Sequence, residues 1–180
     1  EAVRAVKKRI DDAEEKEDIA TIALCFREAL EANSEELVAY CLKSVRFVCK
    51  KDNSGSDADK EVLEAFHKEG IVTLISKALK TFASVDVISW ACAALAGLCW
   101  SQRFGEHRKS AVKEGLVDLI LDLMRTYFDN AKLVEQGCLA LGNLACNNPD
   151  NAVKIAEKGG IELAIEALKR HPGVARVQEY

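Results

Sequence analysis

The 180-residue chain is predicted to be all-α, a solenoid of stacked three-helix units. Three observations carry that expectation. Ala, Leu, Glu and Lys dominate, while only 2 Pro and 10 Gly occur, a composition that favours helix over strand. Gly70, Gly115 and Gly160, spaced 45 residues apart, are followed by similar strings: GIVTLISKAL, GLVDLILDLM and GIELAIEAL. Longer apolar strings also recur, because VISWACAALAGLCW (87–100) aligns with LVEQGCLALGNLAC (133–146) and with LVAYCLKSVRFVCK (37–50). A period of this size is the signature of stacked units that each bury an apolar face on the next.

The elements follow in chain order. The acidic run DDAEEKED (11–18) reads as a solvated face, and Asn33 followed by Glu36 reads as a capping box opening the helix over 37–50. The polar tract KDNSGSDAD (51–59) is the one clear loop, with Ser54 and Ser56 as its only sites for a regulatory phosphate. A short helix over 61–68 leads to Gly70. Behind it Ile71, Leu74, Ile75, Ala78 and Leu79 recur at helical spacing, and the long helix over 87–100 follows. The next unit repeats the plan: a short helix over 106–113, a helix after Gly115 carrying Leu116, Leu119, Ile120 and Leu123, and a long helix over 133–146 capped by Asp129. Asn148-Pro149 sets a cap before a Pro at the first helical position, opening a short helix over 150–158 ahead of Gly160. VQEY (177–180) restarts the third-helix pattern. The units are placed at approximately 1–57, 58–101, 102–147 and 148–180, the last truncated. The glycines suit the sharp turns, since Gly adopts left-handed dihedrals without a Cβ clash.

Composition narrows the function. A formal net charge of −4 and a pI of about 5.5 argue against a general nucleic-acid binder. The apolar run Ile88–Trp100 is too short to span a bilayer, so no membrane insertion is expected. Seven cysteines, an odd number with no CxxC pair, read as small buried hydrophobes with free thiols in a reducing compartment, cytoplasm or nucleus. The basic cluster Arg103, His107, Arg108, Lys109 and Lys113 is interleaved with Glu106 and Glu114 and reads as a solvated face, while His67 and His171 sit at helix ends. No nucleophile–base pair, phosphate loop or acidic metal box occurs, so no catalytic residue, metal ligand or cofactor is expected.

The order of short helix, Gly, helix, and longer helix ending in an ALxNLA-like string resembles the armadillo repeat, clearly over Glu61–Tyr180 and more loosely over the first 50 residues, where no Gly marks the first turn. The resemblance implies a right-handed superhelix whose third helices line a concave groove that binds extended polypeptide. Helical arithmetic then assigns the face. With Leu95, Leu98, Cys99 and Ala91 turned to the core, the opposite stripe is Trp90, Ala93, Gly97 and Trp100. Its counterparts are Tyr40, Lys43, Phe47 and Lys50 in the first unit and Gln136, Leu139, Asn143 and Cys146 in the third, with Tyr180 aligned to Gln136. Asn143 matches the family's groove asparagine, whose amide offers one donor and one acceptor to a peptide unit. Gly142 beside it is read as letting a neighbouring helix approach closely. The family's import receptors place Trp four residues before that Asn, whereas this chain has Leu139, Ala93 and Lys43 there, which argues against a basic import signal as ligand.

The sequence therefore predicts a protein–protein interaction module whose groove holds an extended segment of another protein through Tyr40, Lys43, Phe47, Trp90, Ala93, Gly97, Trp100, Gln136, Leu139, Asn143 and Tyr180. Core packing is the other reading of Trp90 and Trp100. The alternatives are a structural scaffold or self-associating repeat fragment, and a regulator of a folded partner such as a small GTPase. The chain opens on Glu1 and its last unit lacks a polar cap, so a stretch of a longer array or an end-to-end pair of copies is expected.

Overall fold

A computed structural model describes residues 1–50, 57–100 and 105–172, and these form eleven helices with no strand among them. They are α1 (Ala2–Glu15), α2 (Ile19–Glu31), α3 (Glu35–Lys50), α4 (Asp57–Lys68), α5 (Ile71–Thr81), α6 (Val85–Trp100), α7 (Glu106–Lys113), α8 (Leu116–Thr126), α9 (Ala131–Ala145), α10 (Pro149–Glu157) and α11 (Gly160–Arg170). The order of first helix, tight turn, second helix and third helix occurs in α1–α3, α4–α6 and α7–α9. Helices α10 and α11 repeat its first two members.

The tight turns show why glycine recurs. Gly70 (φ 67°), Gly115 (φ 75°) and Gly159 (φ 79°) are left-handed and stand immediately before α5, α8 and α11. The third turn thus uses Gly159 and not Gly160, the glycine that the sequence spacing selects. Gly160 is already helical, and a Cβ there would come within 2.8 Å of the Ile155 carbonyl oxygen. The first turn, which lacks a glycine, is made by Glu17 at φ 53°, so an ordinary L-residue carries the strain there.

Three more expectations shift by small steps. The cap of α3 is Ser34, whose Oγ accepts from Leu37 N at 3.4 Å, while Asn33 is left-handed at φ 49° and closes the preceding turn. The cap of α9 is Asn130, whose Oδ1 accepts from Leu133 N at 3.0 Å, and Asp129 instead pairs with Arg170 at 2.7 Å. The loop expected over 51–59 already gives way to α4 at Asp57, whereas Ser54, Ser56, Arg103 and the restart at 177–180 lie outside the described residues. Asn148 caps α10 as expected, accepting from Asn151 N at 3.1 Å with Pro149 in the first turn.

Equivalent contacts tie successive units together. Arg27 of α2 donates to the Glu69 carbonyl at 2.6 Å, Lys80 of α5 to the Glu114 carbonyl at 3.4 Å, and Arg125 of α8 to the Lys158 carbonyl at 2.6 Å. Each accepting residue directly precedes a left-handed glycine. A second series joins the links after the second helices: the Tyr127 hydroxyl donates to the Ala83 carbonyl at 2.7 Å, and His171 Nε2 donates to the Phe128 carbonyl at 2.8 Å. The buried apolar side chains make one continuous cluster running from Ile10 to Ala167. Helix α6 lies between α3 and α9, which is why its sequence is apolar on every side and Val87–Cys99 is buried apart from Trp90.

Candidate functional site

The side-by-side third helices α3, α6 and α9 present one face in register. Tyr40, Trp90 and Gln136 each stand sixth in their helix and each is half-buried. The Tyr40 hydroxyl donates to Asp11 Oδ1 at 2.6 Å, and Lys7 and Lys43 hold their ammonium groups 5.0 and 5.9 Å from its ring centroid. Donation to a carboxylate pushes the Tyr40 phenol up to about 12. Lys132 of α9 lies 4.9 Å from the Trp90 ring centroid and 3.7 Å from Asp86 of α6, so a cation–π contact and an ion pair link the two helices. Lys7, Asp11, Asp86 and Lys132 are additions to the site residues that the sequence predicts. For two of them the signal is in the sequence, since Asp86 and Lys132 stand four residues before Trp90 and Gln136.

Further along the face the rows differ. Lys43 is exposed, but its counterparts Ala93 and Leu139 are 3% and 6% exposed. Phe47 is 52% exposed, whereas Gly97 is buried and Asn143 is 8% exposed. At the end of the face Trp100 is 52% exposed and Cys146 is also exposed. Ala93, Gly97, Leu139 and Asn143 are therefore not open positions of a stripe: lateral packing of the third helices covers them. A Cβ at Gly97 would meet Cys49 Cβ at 2.9 Å and Arg46 Nη1 at 3.1 Å, so the absence of a side chain lets α3 and α6 close on each other. Gly137 does the same between α8 and α9, where a Cβ would meet Met124 Sδ at 2.5 Å. Gly142 does not, because nothing lies within 4 Å of a Cβ built there. Tyr180 lies outside the described residues.

Asn143 spends its donor inside the fold: its Nδ2 donates to the Ala96 carbonyl of α6 at 2.8 Å. Around it lies a buried polar cluster at the C-terminal ends of α6 and α9. Arg108, which the sequence places on a solvated basic face, is 5% exposed and donates from Nη2 to the Cys99 carbonyl at 2.6 Å and from Nε to the Asn143 carbonyl at 3.0 Å. A guanidinium there meets the negative end of two helix dipoles and gives two carbonyls a donor. Asn151 acts similarly in the following unit, donating from Nδ2 to the Leu144 carbonyl at 2.9 Å. His107, also predicted exposed, is fully buried, with Nε2 donating to the Leu63 carbonyl at 2.9 Å and the His67 ring 5.7 Å away. Burial is the chief cause that lowers its pKa, to about 4, so the ring is neutral at physiological pH.

All seven cysteines are free. Burial pushes the thiols of Cys41, Cys49, Cys92 and Cys99 up to about 12 and that of Cys138 to about 11, which leaves them protonated and inert, while Cys146 stands exposed. Among the described residues no group of three or more His, Cys, Asp or Glu side chains is placed to hold a metal ion. None of the described helices is long and apolar enough to cross a membrane.

The chain is similar to protein aardvark of Dictyostelium discoideum, with 32% identity over 158 residues. The match covers 81% of this chain and 21% of that protein, so the chain spans about a fifth of the length of the curated relative it matches. No family model matches the chain, and no solved structure does.

Proposed function

We propose that the chain is an armadillo-type α-solenoid that binds an extended segment of another protein along the face of α3, α6 and α9. The observation that carries this reading is the set of aromatics on that face: Phe47 and Trp100 are each half exposed, and Tyr40 and Trp90 offer partly open rings. Large apolar side chains held in water on one face are the usual anchors of a protein interface. The lysines around them supply polar contacts at the rim of the site, and the interlocked small residues Ala93 and Gly97 form its floor. Asn143 belongs to that floor and holds α9 to α6, so the ligand is gripped by the aromatic rows and not by this amide. The free thiols support a reducing compartment, cytoplasm or nucleus. This reading assigns no catalytic step to the chain.

Selection of binders from a displayed library of unstructured peptides tests it. The expected result is enrichment of sequences whose affinity falls at least tenfold in Phe47→Ala and Trp100→Ala while the melting temperature is kept. Binders that ignore both substitutions, or a library from which no peptide is enriched, would contradict it, the second outcome favouring the regulator of a folded protein.

A further inference from the structure

Helices α5, α8 and α11 are each eleven residues long and each begins directly after a left-handed glycine, so their positions correspond one to one. The second, sixth and ninth positions are Val72, Ser76 and Leu79 in α5 and Val117, Leu121 and Met124 in α8, none more than 4% exposed. In α11 the same positions are Ile161, Ile165 and Leu168, and they are 56%, 47% and 38% exposed. In the earlier units this face is covered by the third helix that follows the link, as where Met124 of α8 lies against Gly137 of α9, and by the first helix of the next unit, as where α7 packs on α5. The tenth position corresponds as well. Lys80 and Arg125 reach the carbonyl before the next left-handed glycine, and Lys169 occupies that place in α11.

We infer that the outer face of α11 is the seat of a further helical unit of the same kind, carried by the polypeptide that follows Pro172, with Lys169 donating to the backbone carbonyl ahead of that unit's tight turn. The internal copies specify the occupant. A face whose counterparts are buried at the same three positions in α5 and α8, and which carries a cation at the same fourth, is built for the element that covers it twice elsewhere in the molecule. A second copy of the chain fits poorly. Its opposite end is α1, whose outward side chains include the exposed Arg4, Lys8, Asp12 and Glu15, and docking it would strip charges of water against isoleucine. Pairing of α11 with α11 would bury only a few hundred Å² on each side, well under the ~800 Å² per partner of a stable specific interface. A unit in the same polypeptide needs no such area, since tethering supplies a high effective concentration. The seat on α11 does not depend on the peptide-binding reading of the third-helix face.

The test replaces Ile165 by Cys, with Cys146→Ser to remove the exposed native thiol, both in the 180-residue chain and in the full polypeptide expressed from its natural reading frame. Labelling by a thiol reagent should be fast in the 180-residue chain at every concentration and at least tenfold slower in the full polypeptide. Ile165→Asp, with the native cysteines, should lower the melting temperature of the full polypeptide and leave that of the 180-residue chain unchanged, and Lys169→Ala should do the same to a smaller degree. Equal labelling in the two proteins, or protection that develops in the 180-residue chain as its concentration rises, would overturn the proposal, the latter by making a second copy the occupant.

Discussion

Gly142 and Asn143 stand side by side in α9 and act in opposite ways. With nothing within 4 Å of a Cβ at Gly142, Gly142→Ala should stabilise the fold by up to about 1 kcal/mol, because alanine removes only the helix-interior cost of glycine. Asn143→Ala should destabilise by about 1–2 kcal/mol, since it leaves the Ala96 carbonyl buried without its side-chain donor. Urea unfolding of the two variants checks both signs. His107 adds a pH dependence. Its pKa is about 4 in the folded chain against an ordinary value near 6.5, so the unfolded chain takes up the proton first. The resulting stability is fully present above pH 6.5 and is lost as pH falls from there to about 4, by roughly 3 kcal/mol in all. Glu106, Arg108 and His67 are the charged or titratable neighbours that act on the ring. His107→Gln keeps an N–H for the Leu63 carbonyl but cannot titrate. Between pH 7.5 and 4.5 it should therefore lose about 2–3 kcal/mol less than the native chain, and equal losses would remove His107 as the cause.

At the scale of elements, the joints between helices carry the repeat. Arg108 binds the ends of α6 and α9 at once, and its planar fork serves two carbonyls that do not share a direction. Arg108→Met should cost about 2–4 kcal/mol, and Arg108→Lys should recover little of it, as read from thermal or urea unfolding. These joints also mark what the sequence could and could not disclose. The turns at Gly70 and Gly115 are legible because few residues other than glycine take a left-handed conformation without strain. The third is misplaced by one residue because Gly159 and Gly160 are adjacent and only geometry separates the strained position from the crowded one. The turn at Glu17 gives no signal at all. The caps at Ser34 and Asn130 are missed by one residue because a capping residue stands on each side of the boundary. Burial of His107 and Arg108 is invisible, since it depends on where α4 passes and where α6 and α9 end, and not on the pattern within α7.

At the scale of the molecule, two features arise only once the units are side by side. One is the pair of inter-unit ladders, Arg27, Lys80 and Arg125 to the turns and Tyr127 and His171 to the links. The other is the third-helix face, whose register is readable from aligned positions while its accessibility is not. Helical arithmetic separates the core side of one helix from its opposite side. It cannot show that a neighbouring helix closes over Ala93, Gly97, Leu139 and Asn143, leaving the aromatic rows as the open surface. The chain contains two tryptophans, Trp90 and Trp100, and both stand on this face. Their emission therefore reports directly on whether the face is where a partner binds. Titration of the chain with a selected peptide free of Trp should give a saturable shift of tryptophan emission to shorter wavelength. The shift should be largely lost in Trp100→Phe, and its midpoint should move at least tenfold higher in Phe47→Ala. Saturable binding that leaves the emission unchanged and survives both substitutions would place the ligand elsewhere and contradict binding along the third-helix face.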